Sequence, residues 1–283
     1  MALRLLIAGG SGTLGGPLAA RAADAGWDVV ATYLTRPERV RAGTPVHLDL
    51  RDLESVRRVV AAARPDVIIH AAVTERSGAG FDTAIRLAGL HLAQTSRDAG
   101  IRLVALSTDL VFDGTLPVYT EDSSPQPAAN SLYGQAKAQA EVDILACVPA
   151  ALVVRTSLIY DFDPENAQVA WMLRAIERGE TLHLFTDQFR CPIWAVNLAD
   201  ALLELAALDT TGLLHIVGPE LLSRYDLGTG LLAARGYDSA LHVVPASAPD
   251  THPKILNLSI ARARSILTTP LLTLAQARAS VNQ

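Results

Sequence analysis

The sequence predicts an α/β fold, a doubly wound parallel sheet with a small C-terminal lobe beside it. Three observations carry this. Short apolar runs alternate with amphipathic stretches along the first 156 residues, with no hairpin signal between them. The strands are near-continuously apolar, as in Val67-Ile68-Ile69, which is how strands buried on both faces read. A glycine-rich turn joins the first strand to the first helix.

Leu3 to Ala8 reads as the first strand; its apolar run is too short for a signal peptide and leads straight into the glycines. Leu14 to Ala25 reads as a helix with Gly26 as its C-terminal stop. Trp27 to Tyr33 and Val46 to Leu48 follow as strands, and Asp52 to Ala63 as a helix with Val56, Val59 and Val60 on one side. Then come a strand over Val67 to His70, a helix over Phe81 to Ala99 closed by Gly100, and a strand over Ile101 to Ser107. Ser131 to Cys147 reads as a helix and Ala151 to Thr156 as a strand. Beyond Ser157 the order loosens. Helices are expected around Val169 to Arg178 and over Asn197 to Leu208, and a last strand over Leu213 to Val217. A capping box opens a helix at Ser223, and Pro245 to Pro253 reads as a loop. Residues 1–157 are expected to form the dinucleotide-type domain, with 191–217 returning to it, and 158–190 and 218–283 to form a substrate-binding lobe.

With 283 residues, half of them apolar and 19% charged, the chain has ample material for a large core. A net charge of −5 gives no electrostatic footprint for nucleic acid or an anionic membrane. Arg36, Arg39 and Arg41 still form a local basic cluster. Cys147 and Cys191 are too few for a disulfide framework or a cysteine zinc site, and a reducing cytoplasm is the simple expectation. The seven histidines have no metal-ligand spacing, so no metal is expected. No apolar stretch approaches the ~20 residues of a membrane span.

Gly9-Gly10-Ser11-Gly12-Thr13-Leu14-Gly15 lies between strand and helix, where a pyrophosphate can approach the backbone and the helix N-terminus. Gly9, Gly12, Thr13, Leu14 and Gly15 are therefore candidate cofactor contacts. The second strand ends in Thr32-Tyr33-Leu34-Thr35-Arg36, with no acid to hold the ribose hydroxyls of NAD. A guanidinium suits a 2′-phosphate, so NADP(H) is preferred over NAD(H), with Arg36 as first candidate. Asp49, followed by Leu50, either meets the adenine amino group or caps the next helix. Small residues at Ala71 and Ala72 allow close approach of the cofactor, and His70 beside them reads as structural.

Only two of the 24 basic residues are lysines, and one, Lys137, stands four positions after Tyr133. On a helix these share a face. The ammonium favours the phenolate and draws the phenol's pKa down from about 10, giving a proton donor for a carbonyl/alcohol pair. Ser107-Thr108-Asp109 ends the fifth strand, where parallel sheets line their ligand crevice. Thr108 is the candidate hydroxyl, while Ser107 is expected to face the sheet.

Together, Gly9-x-x-Gly12-x-x-Gly15, the hydroxyl after strand five and Tyr133-x-x-x-Lys137 resemble the extended short-chain dehydrogenase/reductases, a Rossmann-type family. The likeness narrows: Ser107-Thr108-Asp109-Leu110-Val111-Phe112-Asp113-Gly114 is similar to the S-T-D-Y-V-F-D-G segment of dTDP-4-dehydrorhamnose reductases. Arg155-Thr156-Ser157-Leu158-Ile159-Tyr160 resembles their R-T-S-W-V-Y, and Asp187-Gln188 with Pro192 resembles D-Q-x-G-x-P. The resemblance implies that Thr108 bonds the keto oxygen, Tyr133 donates the proton, and Lys137 tunes the phenol and holds the nicotinamide ribose. Hydride then goes to C4 of a nucleotide-linked 4-keto-6-deoxy sugar. Asp109, Val111, Phe112, Arg155, Asn166 and Arg190 become candidate substrate contacts; for Arg155, ordering the loops or touching phosphate are equally open.

The chain departs from that pattern in places. Arg86 stands where the family often has Asn, Leu110 replaces tyrosine, and Phe189-Arg190-Cys191 replaces a small residue before Pro192. Near the C-terminus, His252-Pro253 and Asn257-Leu258-Ser259 stand for R-P and S-x-L-D, so a diphosphate-binding arginine is missing from its usual place. Two rivals follow. One is a sugar-nucleotide epimerase or dehydratase, with Asp109 as the extra acid. The other is an NADP-binding regulatory subunit without turnover. A homodimer is common in relatives.

Overall fold

The computed structural model describes residues 3–73, 80–163 and 166–281. Its central strand, β1 (Arg4–Ala8), has Leu5 to Ala8 wholly buried, because helices cover both faces of the sheet. From β1 the chain passes through α1 (Gly15–Asp24) to β2 (Asp28–Tyr33), and on to β3 (Thr44–His47) at one edge. Helix α2 (Leu53–Ala63) carries it back to β4 (Val67–His70) on the other side of β1. Outward from there run α3 (Phe81–Ala99), β5 (Arg102–Thr108), α4 (Leu132–Cys147) and β6 (Leu152–Thr156).

The chain then enters the lobe: β7 (Ile159–Tyr160), α5 (Ala167–Glu177), β8 (Leu182–Phe185), β9 (Phe189–Arg190) and β10 (Ile193–Trp194). It returns through α6 (Ala195–Ala206), against α1, to β11 (Gly212–His215), which pairs with β6. The last stretch holds β12 (Leu222–Ser223), α7 (Arg224–Ala234), β13 (Val243–Ala246), α8 (Ala261–Ile266) and α9 (Leu274–Val281). The sheet order is β11-β6-β5-β4-β1-β2-β3, and each neighbouring pair is parallel. The doubly wound parallel fold is thus present. The order reverses beside β1, and this switch point opens a crevice at the carboxyl ends of β1 and β4.

Period-two alternation sends Leu5, Ile7, Val29, Ala31 and Ile69 to the face packed by Leu18, Leu198 and Leu202. Leu6, Ile68, Leu103 and Val153 go to the face packed by Val56, Val60, Leu92 and Ile144. The lobe has its own core around Tyr160, Phe162, Met172, Leu184, Trp194 and Leu231. Trp194 is buried with its Nε1 donating to Asp161 Oδ1 at 3.0 Å, while Trp171 stays 37% exposed. The capping box of α7 forms as its sequence predicts: Ser223 Oγ accepts from Asp226 N, and the Asp226 carboxylate accepts from Ser223 N. Pro245 is not in a loop; it lies in β13, paired with β8 in a two-stranded ribbon whose edge tolerates the missing N–H.

His215 is wholly buried, edge-on to Phe112 at 6.1 Å, with the Ser259 backbone beside its ring. Burial first, then Arg155, holds its pKa down to about 3. His70 is likewise held to about 3. The folded state therefore keeps both rings neutral, while the unfolded chain protonates near 6.5. Their contribution is whole above about pH 6.5 and is lost as pH falls towards 3. Urea unfolding at pH 5 is expected to show about 2 kcal/mol less stability per histidine than at pH 7, and His215→Phe to remove one such share. An unchanged pH slope in the variant refutes this.

Candidate active site

The crevice is floored by the turn after β1. A Cβ on Gly15 would lie 2.0 Å from Gly9 O, so no other residue fits without moving the turn. Gly12 N bonds Gly9 O at 3.0 Å, and Gly9 N bonds Thr32 Oγ1 at 3.1 Å, tying the turn to β2. Leu14 precedes α1 without a side-chain cap; Gly16 N bonds Gly12 O at 3.2 Å and Pro17 brings no N–H, so the crevice meets the positive end of the helix dipole more than a row of free donors. Ala72 closes the opposite wall; a Cβ on Gly9 would come within 2.6 Å of its Cα. The backbone cradle and small walls fit a dinucleotide pyrophosphate.

A cavity of about 120 Å³ stands over Ser11, Gly12 and Thr13, walled also by Arg39, Arg41, Asp161 and Asp163. Arg41 pairs with Asp163 across it. Arg36 is exposed and is not one of its walls; Arg39 and Arg41, three and five residues further on, line the cavity instead. Asn166 lines the same cavity, 7% exposed, with its side chain accepting from Gln168 N at 2.9 Å as the N-cap of α5. Asp49 does not cap α2: Asp52 does, accepting from Glu54 N at 3.1 Å. Asp49 instead takes Arg51 Nη2 at 2.6 Å and Arg51 N at 2.9 Å, and the hydrogen bond to the guanidinium holds its carboxyl below the usual range. Leu50 is buried, with its carbonyl 2.9 Å from His91 Nδ1. Ala71 and Ala72 are half-buried at the end of β4.

Tyr133 lies in the first turn of α4, half-buried. Ser131 caps that turn, accepting from Gly134 N at 3.1 Å. Gly134 must be glycine, because a Cβ there would sit 2.2 Å from Leu110 O. This close approach seats the start of α4 against the turn that follows Thr108. Thr108, the last residue of β5 and 8% exposed, accepts from Leu110 N and donates to Asp109 Oδ1, both at 3.2 Å. Lys137, one helical turn after Tyr133 and 5% exposed, donates to Leu106 O at 3.0 Å.

One turn further along the same face is Glu141, which sequence reading missed. It accepts from Arg155 Nη2 at 2.7 Å and Nε at 3.0 Å, and from Ser107 Oγ at 2.5 Å. Ser107 therefore faces α4, contrary to expectation, because alternation along β5 turns it to the helix side together with Ala105. Arg155 is wholly buried, its guanidinium 5.0 Å from the Phe112 ring centroid. Its pair with Glu141 ties α4 to β6 inside the protein. An acid at i+4 from Lys137, on the same helix face, was the available signal for Glu141.

Asp109 is 4% exposed and takes Ser157 Oγ at 2.5 Å, with Arg190 Nε 3.8 Å away. Burial pushes its carboxyl above the usual range, and Arg190 opposes that. Arg190, 5% exposed, is spent on backbone: it donates to Phe189 O at 2.7 Å and Pro253 O at 2.9 Å. Val111 and Phe112 expose no surface, and Phe112 stacks on Tyr119 at 4.1 Å. Both belong to the core that packs one face of the sheet. Arg86, at the family's Asn position, points outward to Asp143 at 3.2 Å. Among the described residues no three His, Cys, Asp or Glu side chains are placed to hold a metal, and no helix is long and apolar enough to cross a membrane.

Residues 3–271 match the model of a family described as the RmlD substrate binding domain. A dTDP-4-keto-6-deoxy-D-glucose reductase of Streptomyces niveus is 33% identical over 243 residues, 83% of this chain and 80% of that protein. Methionine adenosyltransferase 2 subunit beta of Danio rerio is 28% identical over 256 residues, 86% of this chain and 76% of that protein. The crystal structure of a hypothetical dTDP-4-dehydrorhamnose reductase from Sulfolobus tokodaii is 28% identical, with a TM-score of 0.80 over 97% of this chain and 99% of that one.

Proposed function

The chain belongs to the RmlD substrate binding domain family, and from that premise we propose that it is an NADP(H)-dependent reductase of the C4 keto group of a nucleotide-diphosphate-linked 4-keto-6-deoxy sugar. The observation that supports this is the close seat of α4 against the turn after β5, where a Cβ on Gly134, next to Tyr133, would lie 2.2 Å from Leu110 O, two residues after Thr108. Reduced nicotinamide supplies the hydride when bound. Tyr133 gives its proton to the sugar oxygen, and the nearby Lys137 ammonium stabilises the phenolate left behind. Thr108 turns its hydroxyl from Asp109 to the same oxygen and stabilises charge as it develops. Gly12, Thr13 and the N-terminus of α1 hold the pyrophosphate, and Ala71 and Ala72 leave room for the ribose. Arg39 and Arg41, on the loop that also carries Arg36, hold the 2′-phosphate, which explains a preference for NADPH over NADH.

The test is consumption of NADPH with a dTDP-4-keto-6-deoxy sugar, with the C4 alcohol as product. An epimerase or dehydratase leaves the cofactor unconsumed overall. A regulatory subunit, the second reading, favoured by the likeness to the adenosyltransferase subunit, binds NADPH and turns over nothing. For cofactor choice, Arg41→Ala is expected to lower the NADPH/NADH ratio of kcat/KM by about tenfold or more, and Arg36→Ala to change it less than threefold. The reverse order assigns the phosphate to Arg36.

A further inference from the structure

A second, much smaller cavity lies beneath Lys137, between α3, α4 and strands β4 and β5. It measures about 10 Å³, room for the centre of a single water. Its polar walls are His70, Ser107, Lys137 and Glu141; Ile85 and Gly89 of α3 close it with apolar surface. Ser107 and the Arg155 guanidinium are already committed to Glu141. His70 is 4% exposed, and its Nδ1 is buried without a partner among the described residues. A buried ring nitrogen left so is costly unless something bonds it. A water that occupies such a space needs two or more polar partners, and an ammonium offers three donors.

We propose that this cavity holds one water that accepts from Lys137 Nζ and donates to His70 Nδ1, which makes His70 a positioning residue for the ammonium. The inference rests on the reading that Tyr133 and Lys137 act together on a carbonyl. Burial first, then the charge of Lys137, keeps the His70 ring neutral, so with its hydrogen on Nε2 it presents a lone pair to the cavity at every working pH. The other charges around the ammonium, Glu141 on α4 and Arg155 on β6, neutralise one another. With one donor of the ammonium already on Leu106 O at 3.0 Å, the water bond fixes a second and so sharpens where the ammonium sits along its flexible stem.

Crystals of the cofactor complex at about 1.5 Å test the site directly. Wild-type density is expected to show one water within hydrogen-bond reach of both atoms. His70→Phe is expected to lose it and His70→Asn, whose amide takes the place of Nδ1, to keep it. In turnover, His70→Phe is expected to lower kcat about tenfold, with KM and the Kd for NADPH within twofold. The kinetic limb of the Tyr133 phenol should move up in pH, because a loosened ammonium stabilises the phenolate less. His70→Asn should stay within threefold of wild type. An empty cavity in the wild type, an unchanged profile in His70→Phe, or equal losses in both variants overturns the proposal. Absence of wild-type turnover with any keto sugar sinks the reductase reading alone, and the density still decides whether the water site exists.

Discussion

Tyr133→Phe is expected to lower turnover of a keto-sugar nucleotide by about a thousandfold while leaving the Kd for NADPH within about twofold. The substitution removes one oxygen and keeps the ring, so the N-terminal turn of α4, its Ser131 cap and the close contact at Gly134 stay as they are. The loss then falls on the proton transfer and not on the fold. Thr108 remains to hold the carbonyl, which is why activity persists above background instead of vanishing. Stopped-flow loss of NADPH absorbance, beside a binding titration by cofactor fluorescence, separates the two effects. A variant keeping more than a tenth of the rate would move the proton donor elsewhere. Asp109 would be the next candidate, since burial pushes its carboxyl up towards the protonated form.

The largest effect on stability is expected at a residue with no place in the chemistry. Glu141→Ala leaves Arg155 charged and wholly buried, with Ser107 also robbed of its acceptor. Breaking such a pair from one side costs about 3–5 kcal/mol. Urea midpoints at pH 7 measure it. Adding Arg155→Met is expected to restore most of the loss, because an apolar side chain of similar length suits that space better than an unpaired cation. A loss below about 1 kcal/mol in the single variant would show that water or another acceptor reaches Arg155.

How much of this was readable in advance depended on the range of the signal. The strands and helices around the sheet are set by local period and by glycine stops, and the sequence places them within one or two residues. The glycine turn, Thr108 and the Tyr133–Lys137 spacing are local too, and the fold sets them after β1, at the end of β5 and in the first turns of α4. What failed was long-range or depended on direction. Glu141 finds Arg155 only after β6 is laid beside β5, where Ser107 and Arg155 become register partners. Arg36 and Arg41 are equally basic in the sequence, and only the path of the loop turns Arg41 towards the cavity. Val111 and Phe112 match a family motif, and only the packing shows that both are wholly buried. Asp49 and Asp52 both suit a cap, and the phase of α2 chooses the second.

Helix α4 carries the phenol at one end and the buried ion pair two turns away, a separation of about 12 Å. It behaves as a beam held by the ion pair at one end and by the Gly134 seat at the other. With the ion pair loosened, a pivot of only about 5° there would carry the phenol through about 1 Å, and a misplacement of that size costs about a hundredfold in rate. Changes that soften the clamp without unfolding the chain would therefore register as slow catalysis as well as lost stability.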